Sequence, residues 1–248
     1  MNDFLCLKNL SKHFGGVRAV NDVSLNLKQG DVLGIIGPNG SGKTTLINMI
    51  TGFIKPSSGK ILFKGKDITG KMPYKIANLG IGRTFQMVKP FYHLPAYKNL
   101  IVPLYSPRVK RTEGKYGDRD AVAIDLLEDV GFERDSFVPY KLTGNLPHGY
   151  LKRLELARCM ALRSELMIFD ELFSGLSLAE VATIVPLIEH IIDEGVTVIM
   201  IEHRLRELFR IVNKVFVLDF GEKIAEGKPE EVMEMERVRE AYLGVEVE

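Results

Sequence analysis

Residues 37 to 44 read Gly-Pro-Asn-Gly-Ser-Gly-Lys-Thr and stand between an apolar run, Val32 to Ile36, and a helix-like run, Thr45 to Ile50. Three glycines, a lysine and a hydroxyl at this spacing are what a loop needs to wrap phosphate oxygens. Gly37, Gly40 and Gly42 let the backbone bend so that successive amides point inward, and the following helix adds the positive end of its dipole. Pro38, Asn39 and Ser41 fill the rest of this P-loop. Lys43 is expected to reach the β- and γ-phosphates of a nucleoside triphosphate. Thr44 is expected to ligate Mg²⁺, with Thr45 one step further round the helix. An ordinary glycine turn is the rival reading, and the strand-to-helix context argues against it.

A second group of chemical side chains lies far along the chain. The apolar segment Leu166 to Phe169 ends in Asp170-Glu171. Paired with a P-loop, such a strand end supplies a metal contact through Asp170, by way of water, and a water-orienting base through Glu171. Phosphoryl transfer otherwise depends on positioning and charge neutralisation. Gln86 follows the strand-like Ile81 to Phe85 and carries a neutral amide able to contact both Mg²⁺ and water. His203 follows the apolar run Val196 to Ile201 and is placed to donate to the γ-phosphate.

The elements that must position these groups alternate in type. Strands are expected at 4–10, 23–27 and 32–36, a hairpin at 60–63 and 66–68 turning at Gly65-Lys66, and a strand at 81–85. From Met87 the character changes, with prolines at 90, 95, 103, 107 and 139 and a charged stretch, Arg108 to Asp120, that reads as an exposed loop. Helices are expected at 121–130 and 150–162, the second with Leu151, Leu154, Ala157 and Ala161 on one face. After Phe169 follow helix 178–194, strand 196–201, helix 204–212, strand 214–219 and a hairpin through Gly221. Strands alternating with helices predict an α/β fold with a mainly parallel sheet and ligands at the strand C-terminal ends.

Composition excludes more than it selects. Thirty-three basic against thirty-two acidic residues give a formal charge of +1, so no global field draws in nucleic acid or an anionic membrane. Cys6 and Cys159 suggest neither a disulfide framework nor a zinc site and are expected to be reduced thiols. The longest apolar stretches are strand-sized and no basic, cleavable leader opens the chain, which predicts a soluble cytosolic protein.

The ordered set of Gly37 to Thr44, Gln86, Leu146-Pro-His-Gly-Tyr150, Asp170-Glu171, Ser174-Gly-Leu176 and His203 resembles the ABC-type ATPase cassette over almost the whole chain. The resemblance implies a single domain, 1–248, with a P-loop NTPase (RecA-like) core and antiparallel β subdomain from 1–86 and 163–248. It also implies an inserted helical subdomain, 87–162, carrying the signature motif. ATP and Mg²⁺ are then the ligands, and Glu171, His203 and Gln86 the catalytic set, with Thr44, Gln86 and Asp170 at the metal. Two cassettes, identical or siblings, face head to tail, so that Pro147, His148 and Gly149 of one meet the γ-phosphate held by the other. Phe14 matches the aromatic residue that stacks on adenine, a core phenylalanine being the rival reading, and Ser174 to Ser177 resembles the loop that crosses the dimer interface.

Departures from the family pattern bear on that interface. The usual signature is Leu-Ser-Gly-Gly-Gln, so Pro147 removes a hydroxyl and backbone amides must carry the phosphate contact. Leu172 replaces a common proline, and Ser177-Leu178 replaces Asp-Pro or Asn-Pro.

Gly82-Arg-Thr-Phe-Gln86, Lys152-Arg-Leu-Glu-Leu-Ala157 and the ending Glu240-Ala-Tyr-Leu-Gly244 look like the ATPase subunits of branched-chain, or hydrophobic, amino-acid importers. Partners implied are a second cassette, two membrane permeases and, indirectly, an extracytoplasmic binding protein, with the chain held peripherally on the inner face of the membrane. Nucleic acid is not among them. Met87 to Ala96 is the expected docking surface for a permease helix. Relatives in that branch handle urea, short amides or lipopolysaccharide, so the cargo stays open. A soluble ABC ATPase acting on DNA or ribosomes is the rival class, but it usually carries two cassettes or a long coiled coil. A small-molecule kinase would not need Gln86, the 146–150 motif and His203 in this order.

Overall fold

Val32–Ile36 and Thr197–Ile201 are each buried at all five positions, as strands covered on both faces must be, and they lie side by side and parallel. The computed structural model describes residues 3–113 and 118–243. Along it the strands are β1 Leu5–Phe14, β2 Val17–Leu27, β3 Val32–Ile36, β4 Ser58–Phe63, β5 Lys66–Asp67, β6 Ile81–Arg83, β7 Leu166–Asp170, β8 Thr197–Ile201, β9 Lys214–Asp219 and β10 Glu222–Gly227. The α-helices are α1 Lys43–Ile50, α2 Pro73–Leu79, α3 Ile101–Leu104, α4 Pro107–Glu113, α5 Arg119–Asp129, α6 His148–Ala161, α7 Leu178–Asp193, α8 Leu205–Ile211, α9 Pro229–Met233 and α10 Glu236–Leu243. The chain divides into two compact units, one of residues 1–76 and 197–248, the other of 77–196.

The first unit holds two sheets. An antiparallel sheet runs β2-β1-β4-β5. In the other, β3 lies between β8 and β9, parallel to both, and β10 pairs antiparallel with β9. The α/β architecture with an antiparallel β subdomain therefore holds. β1 and β2 are longer than the alternation of apolar residues predicts. They continue to a two-residue hairpin at Gly15-Gly16, with Phe14 opposite Val17, and register shifts between Leu7 and His13 break the period on which the sequence reading depends. The short hairpin turns at Lys64-Gly65, both with positive φ (51° and 73°), one residue earlier than expected.

In the second unit β6 and β7 pair in parallel and the helices gather around α6. Leu154, Ala157 and Ala161 are fully buried and Leu151 is half-buried, as the helical spacing predicts, and Phe132 meets Tyr150 edge to face at 5.0 Å. The stretch Arg108 to Asp120 is not an exposed loop where it is described. Pro107 opens α4, because a proline at the first helical position gives up only an amide that has no helical partner. Arg108 is buried there, donating to the carbonyls of Leu79, Leu162 and Arg163 and pairing with Glu165 at 3.0 Å. Residues 114–117 of that stretch lie outside the described residues, as does Gly244 of the C-terminal motif.

Candidate nucleotide site

The first unit carries the P-loop. Gly37 follows β3 with φ 148° and Gly42 caps α1 with φ 103°, and the space around each is closed. A Cβ on Gly37 would stand 2.0 Å from the Leu218 carbonyl oxygen and one on Gly42 2.3 Å from that of Ala19, so backbone approach as well as φ demands glycine at both. The hairpin between β9 and β10 braces the loop, since the Gly221 amide donates to the Ser41 carbonyl at 3.0 Å. Lys43 is buried and its Nζ donates to the carbonyls of Gly37 and Pro38, both at 2.8 Å. Asn39, Gly40 and Thr44 are exposed, while Pro38 and Thr45 are half-buried.

Three further groups belong to this unit. Parallel pairing sets Ile35 beside Ile201, so Gly37 and the exposed His203, each two residues beyond its strand partner, leave the sheet at one edge. Phe14, at the end of β1, is 48% exposed with Lys12 Nζ 5.0 Å from its ring centroid, which removes the core reading. Tyr242 of α10 is half-buried and hydrogen-bonded to the Gly37 backbone; burial pushes its hydroxyl up to about 12 against that bond.

The second unit brings Gln86, Asp170 and Glu171 together through strand register. β6 pairs with β7 so that Arg83 sits opposite Ile168, and three residues further on Gln86 Nε2 donates to Glu171 Oε2 at 2.7 Å. The ladder between these strands ends at Arg83 rather than Phe85, because the Phe85 amide turns away to donate to the buried Glu155 carboxylate at 3.0 Å. Asp170 is buried and paired with Arg83 at 2.6 Å. Glu171 has φ 51°, the left-handed region that a non-glycine residue enters only when its surroundings hold it there.

The signature segment lies in the same unit. α6 starts at His148, two residues earlier than predicted, with Pro147 as N-cap and Gly149 inside the first turn. Pro147 supplies no side-chain cap. His148 Nε2 lies 3.4 Å from the Ser174 carbonyl oxygen, and a Cβ on Gly149 would stand 2.8 Å from Glu180 Oε1. Glu180 closes a capping box with Ser177 at the start of α7, and its carboxyl is held below the ordinary range chiefly by the Ser177 amide.

Two buried side chains next to these groups escape sequence reading. Arg83 pairs with Asp170, and Lys152 Nζ donates to the carbonyls of Gln86 and Glu171 at 3.0 and 3.3 Å. The only sequence signal for either is its place within a motif already noted for another residue.

A glycine-built phosphate cradle at the end of a parallel strand, in an α/β fold that also carries a Gln–Glu pair and the signature helix α6, defines a nucleotide-binding cassette. Comparison with known proteins makes the class specific. The ABC transporter family profile matches residues 20–174, and a profile described as branched-chain amino acid ATP-binding cassette transporter matches 222–248. The probable branched-chain amino acid transport ATP-binding protein LivG of Archaeoglobus fulgidus is 34% identical over 251 residues, covering 96% of this chain and 95% of its own. The high-affinity branched-chain amino acid transport ATP-binding protein BraF of Pseudomonas aeruginosa is 35% identical, with 96% of each covered. Among solved structures, the ADP conformation of MJ1267, an ATP-binding cassette of an ABC transporter, superposes with a TM-score of 0.84 at 33% identity over 99% of this chain and all of that one. A dimeric post-hydrolysis state of the cassette MJ0796, bound to ADP and Pi, gives 0.79 at 25% identity, covering 90% and 98%. The chain belongs to the ABC transporter ATP-binding family, whose cassettes are nucleotide-binding ATPases coupled to transport.

Proposed function

We propose that this chain is the ATP-hydrolysing subunit of a membrane importer for branched-chain or other hydrophobic amino acids. It works as a dimer of cassettes docked on two permeases at the inner face of the membrane, with a substrate-binding protein outside. The observation that carries the reading is the Gln86–Glu171 hydrogen bond of 2.7 Å beside the buried Asp170 in one unit, in a chain whose other unit carries a P-loop with no room for a side chain at Gly37 or Gly42. Identity of 34–35% along 95–96% of the length of proteins named for branched-chain amino acid transport, and the C-terminal profile match, support the cargo class.

In this reading the loop from Gly37 to Thr45 wraps the phosphates, with Lys43 turning from its own loop carbonyls to the β- and γ-oxygens. Phe14 stacks on adenine. The donor set suits Mg²⁺, a hard cation that takes oxygen ligands: the Asp170 carboxylate already accepts a cation, the Arg83 guanidinium, at 2.6 Å. Thr44, Gln86 and Asp170 would hold the ion, and when bound it neutralises charge on the phosphates. Glu171 orients the attacking water, Gln86 fixes the Glu171 carboxylate, and His203 donates to the γ-phosphate. Pro147, His148 and Gly149 present the first-turn amides of α6 to the γ-phosphate held by the other cassette. We assign 1–86 and 163–248 to the catalytic core and 87–162 to the helical subdomain. Phe91 and Tyr92, both exposed, belong to the permease-docking surface.

Glu171→Gln tests this directly. The variant should bind Mg²⁺–ATP and elute as an ATP-dependent dimer while hydrolysing far more slowly than wild type, because water is no longer polarised. Membranes solubilised with ATP and this variant should yield the permease pair, and vesicles carrying that complex with its binding protein should take up leucine or valine. Hydrolysis at the wild-type rate would remove Glu171 as base, and uptake indifferent to both amino acids would remove the cargo assignment.

A further inference from the structure

Lys152 is 0% exposed although it is one of the two basic residues that follow the signature in α6, where a charged face turned to solvent is the ordinary expectation. Its Nζ donates to the main-chain carbonyl of Gln86 at 3.0 Å and to that of Glu171 at 3.3 Å. The side chains of those same two residues are joined at 2.7 Å. One donor on α6 therefore closes a ring through both: Nζ to the Gln86 carbonyl, Gln86 amide to the Glu171 carboxylate, Glu171 carbonyl back to Nζ.

A second tie runs from the next turn of the same helix. The carboxylate of Glu155, buried and pushed up chiefly by that burial, accepts from the Phe85 amide at 3.0 Å and from Arg158 at 2.9 Å. The peptide between Phe85 and Gln86 is thus held on both sides by α6, its preceding amide by Glu155 and its following carbonyl by Lys152. Glu171 meanwhile sits at φ 51°, a conformation that needs an external restraint, and Lys152 supplies a hydrogen bond to its carbonyl.

We infer that Lys152 is a positioning residue: it fixes the Gln86–Glu171 pair to the signature helix, so that the hydrolytic carboxylate is set by where α6 lies. The inference rests on the proposed function. In that reading the N-terminus of α6 meets the nucleotide of the opposite cassette, and Lys152, one turn further along, passes the helix position to the carboxylate of its own. Closure of one site would then order the base of the other.

The test is steady-state kinetics of the purified full-length chain with Mg²⁺–ATP. Lys152→Met keeps a stem of similar length and removes the donor. It should leave ATP affinity, read with a fluorescent ATP analogue, within about twofold. Its kcat should fall by about tenfold to a hundredfold, the cost of a carboxylate misplaced by roughly 1 Å. Lys152→Arg, which keeps donors, should recover part of that loss. In a cycle with Gln86→Ala the two substitutions together should cost less than the product of their separate effects, because both act on one carboxylate. If Lys152→Met does not fold, Lys152→Gln carries the same cycle. A wild-type kcat in the folded variant, a loss confined to KM, or fully multiplicative effects would overturn the inference while leaving the functional reading in place. A wild-type chain that binds no ATP and hydrolyses none would overturn both.

Discussion

Replacing Arg83 by methionine isolates the charge that faces Asp170. The side chains are 7% and 5% exposed and 2.6 Å apart, so neither is solvated by water and each neutralises the other. Removing one partner strands a buried carboxylate, which typically costs ~3–5 kcal/mol. For a chain of 248 residues that converts, at roughly 2–4 °C per kcal/mol, to a melting temperature lower by about 6–20 °C. Two companion measurements separate charge from packing. Arg83→Met combined with Asp170→Asn should recover at least half of the loss, since no stranded charge is left. Mg²⁺–ATP should also raise the melting temperature of Arg83→Met by more than it raises that of wild type, because the ion can take the place of the guanidinium, and ATP in EDTA should not. Thermal unfolding followed by circular dichroism at pH 7, with and without Mg²⁺–ATP, reads all three. A shift of less than 2 °C, within the spread of surface substitutions, would refute the buried-pair argument. Equal stabilisation of variant and wild type by Mg²⁺–ATP would refute the assignment of Asp170 as a cation ligand.

Three other outcomes follow from particular contacts. Burial, with the nearby Glu155 adding to it, pushes the Cys159 thiol up to about 12, so in a Cys6→Ser background a thiol reagent should stay unreacted from pH 7 to pH 9 and react at once in denaturant; labelling of the folded protein would contradict this. Ser177→Ala should cost about 1 kcal/mol through loss of the α7 cap, measured by urea unfolding. The Glu180 carboxyl, lowered by its bonds to Ser177, gives a contribution present above its unfolded pKa and lost as pH falls through the folded one, so the variant should lose less on acidification than wild type does. Tyr242→Phe removes the hydroxyl hydrogen-bonded to Gly37 and should lower stability by ~0.5–1.5 kcal/mol, with hydrogen exchange at Gly37 accelerated; unchanged exchange would detach the C-terminal helix from the P-loop.

What could be read from the chain, and what could not, divides along a physical line. The P-loop is legible because Gly37 and Gly42 answer to local backbone demands, a positive φ and a carbonyl that would stand 2.0 or 2.3 Å from an added Cβ, and those leave a fixed spacing in sequence. β3, β7 and β8 are legible because strands buried along their whole length read as nearly continuous apolar runs. The meeting of Gln86 with Glu171 follows from register, once β6 and β7 are known to be parallel neighbours. Arg83, Arg108 and Lys152 are not legible. A basic residue is buried only when carbonyls or a carboxylate from distant segments converge on it, and no window of sequence contains Leu79, Leu162 and Arg163 together. The true ends of β1 and β2 escape for a different reason, since register shifts break the period of two while leaving the pairing intact.

The two helices that begin near the acid pair show how one unit divides its polar resources. α7 closes on itself: Ser177 Oγ accepts from the Glu180 amide and the Glu180 carboxylate accepts from the Ser177 amide. α6 does the opposite. Its N-cap is a proline with no side-chain acceptor, and Gly149 in its first turn leaves room that a Cβ would take from Glu180. Amides at a helix start without a side-chain cap must find another acceptor, and their dipole end favours an anion. In the proposed function, proline at position 147 in place of the family's serine therefore leaves the segment a role. There recognition would pass from a hydroxyl to the backbone amides of His148 and Gly149, while Lys152 and Glu155 tie the same helix to Gln86, Glu171 and Phe85.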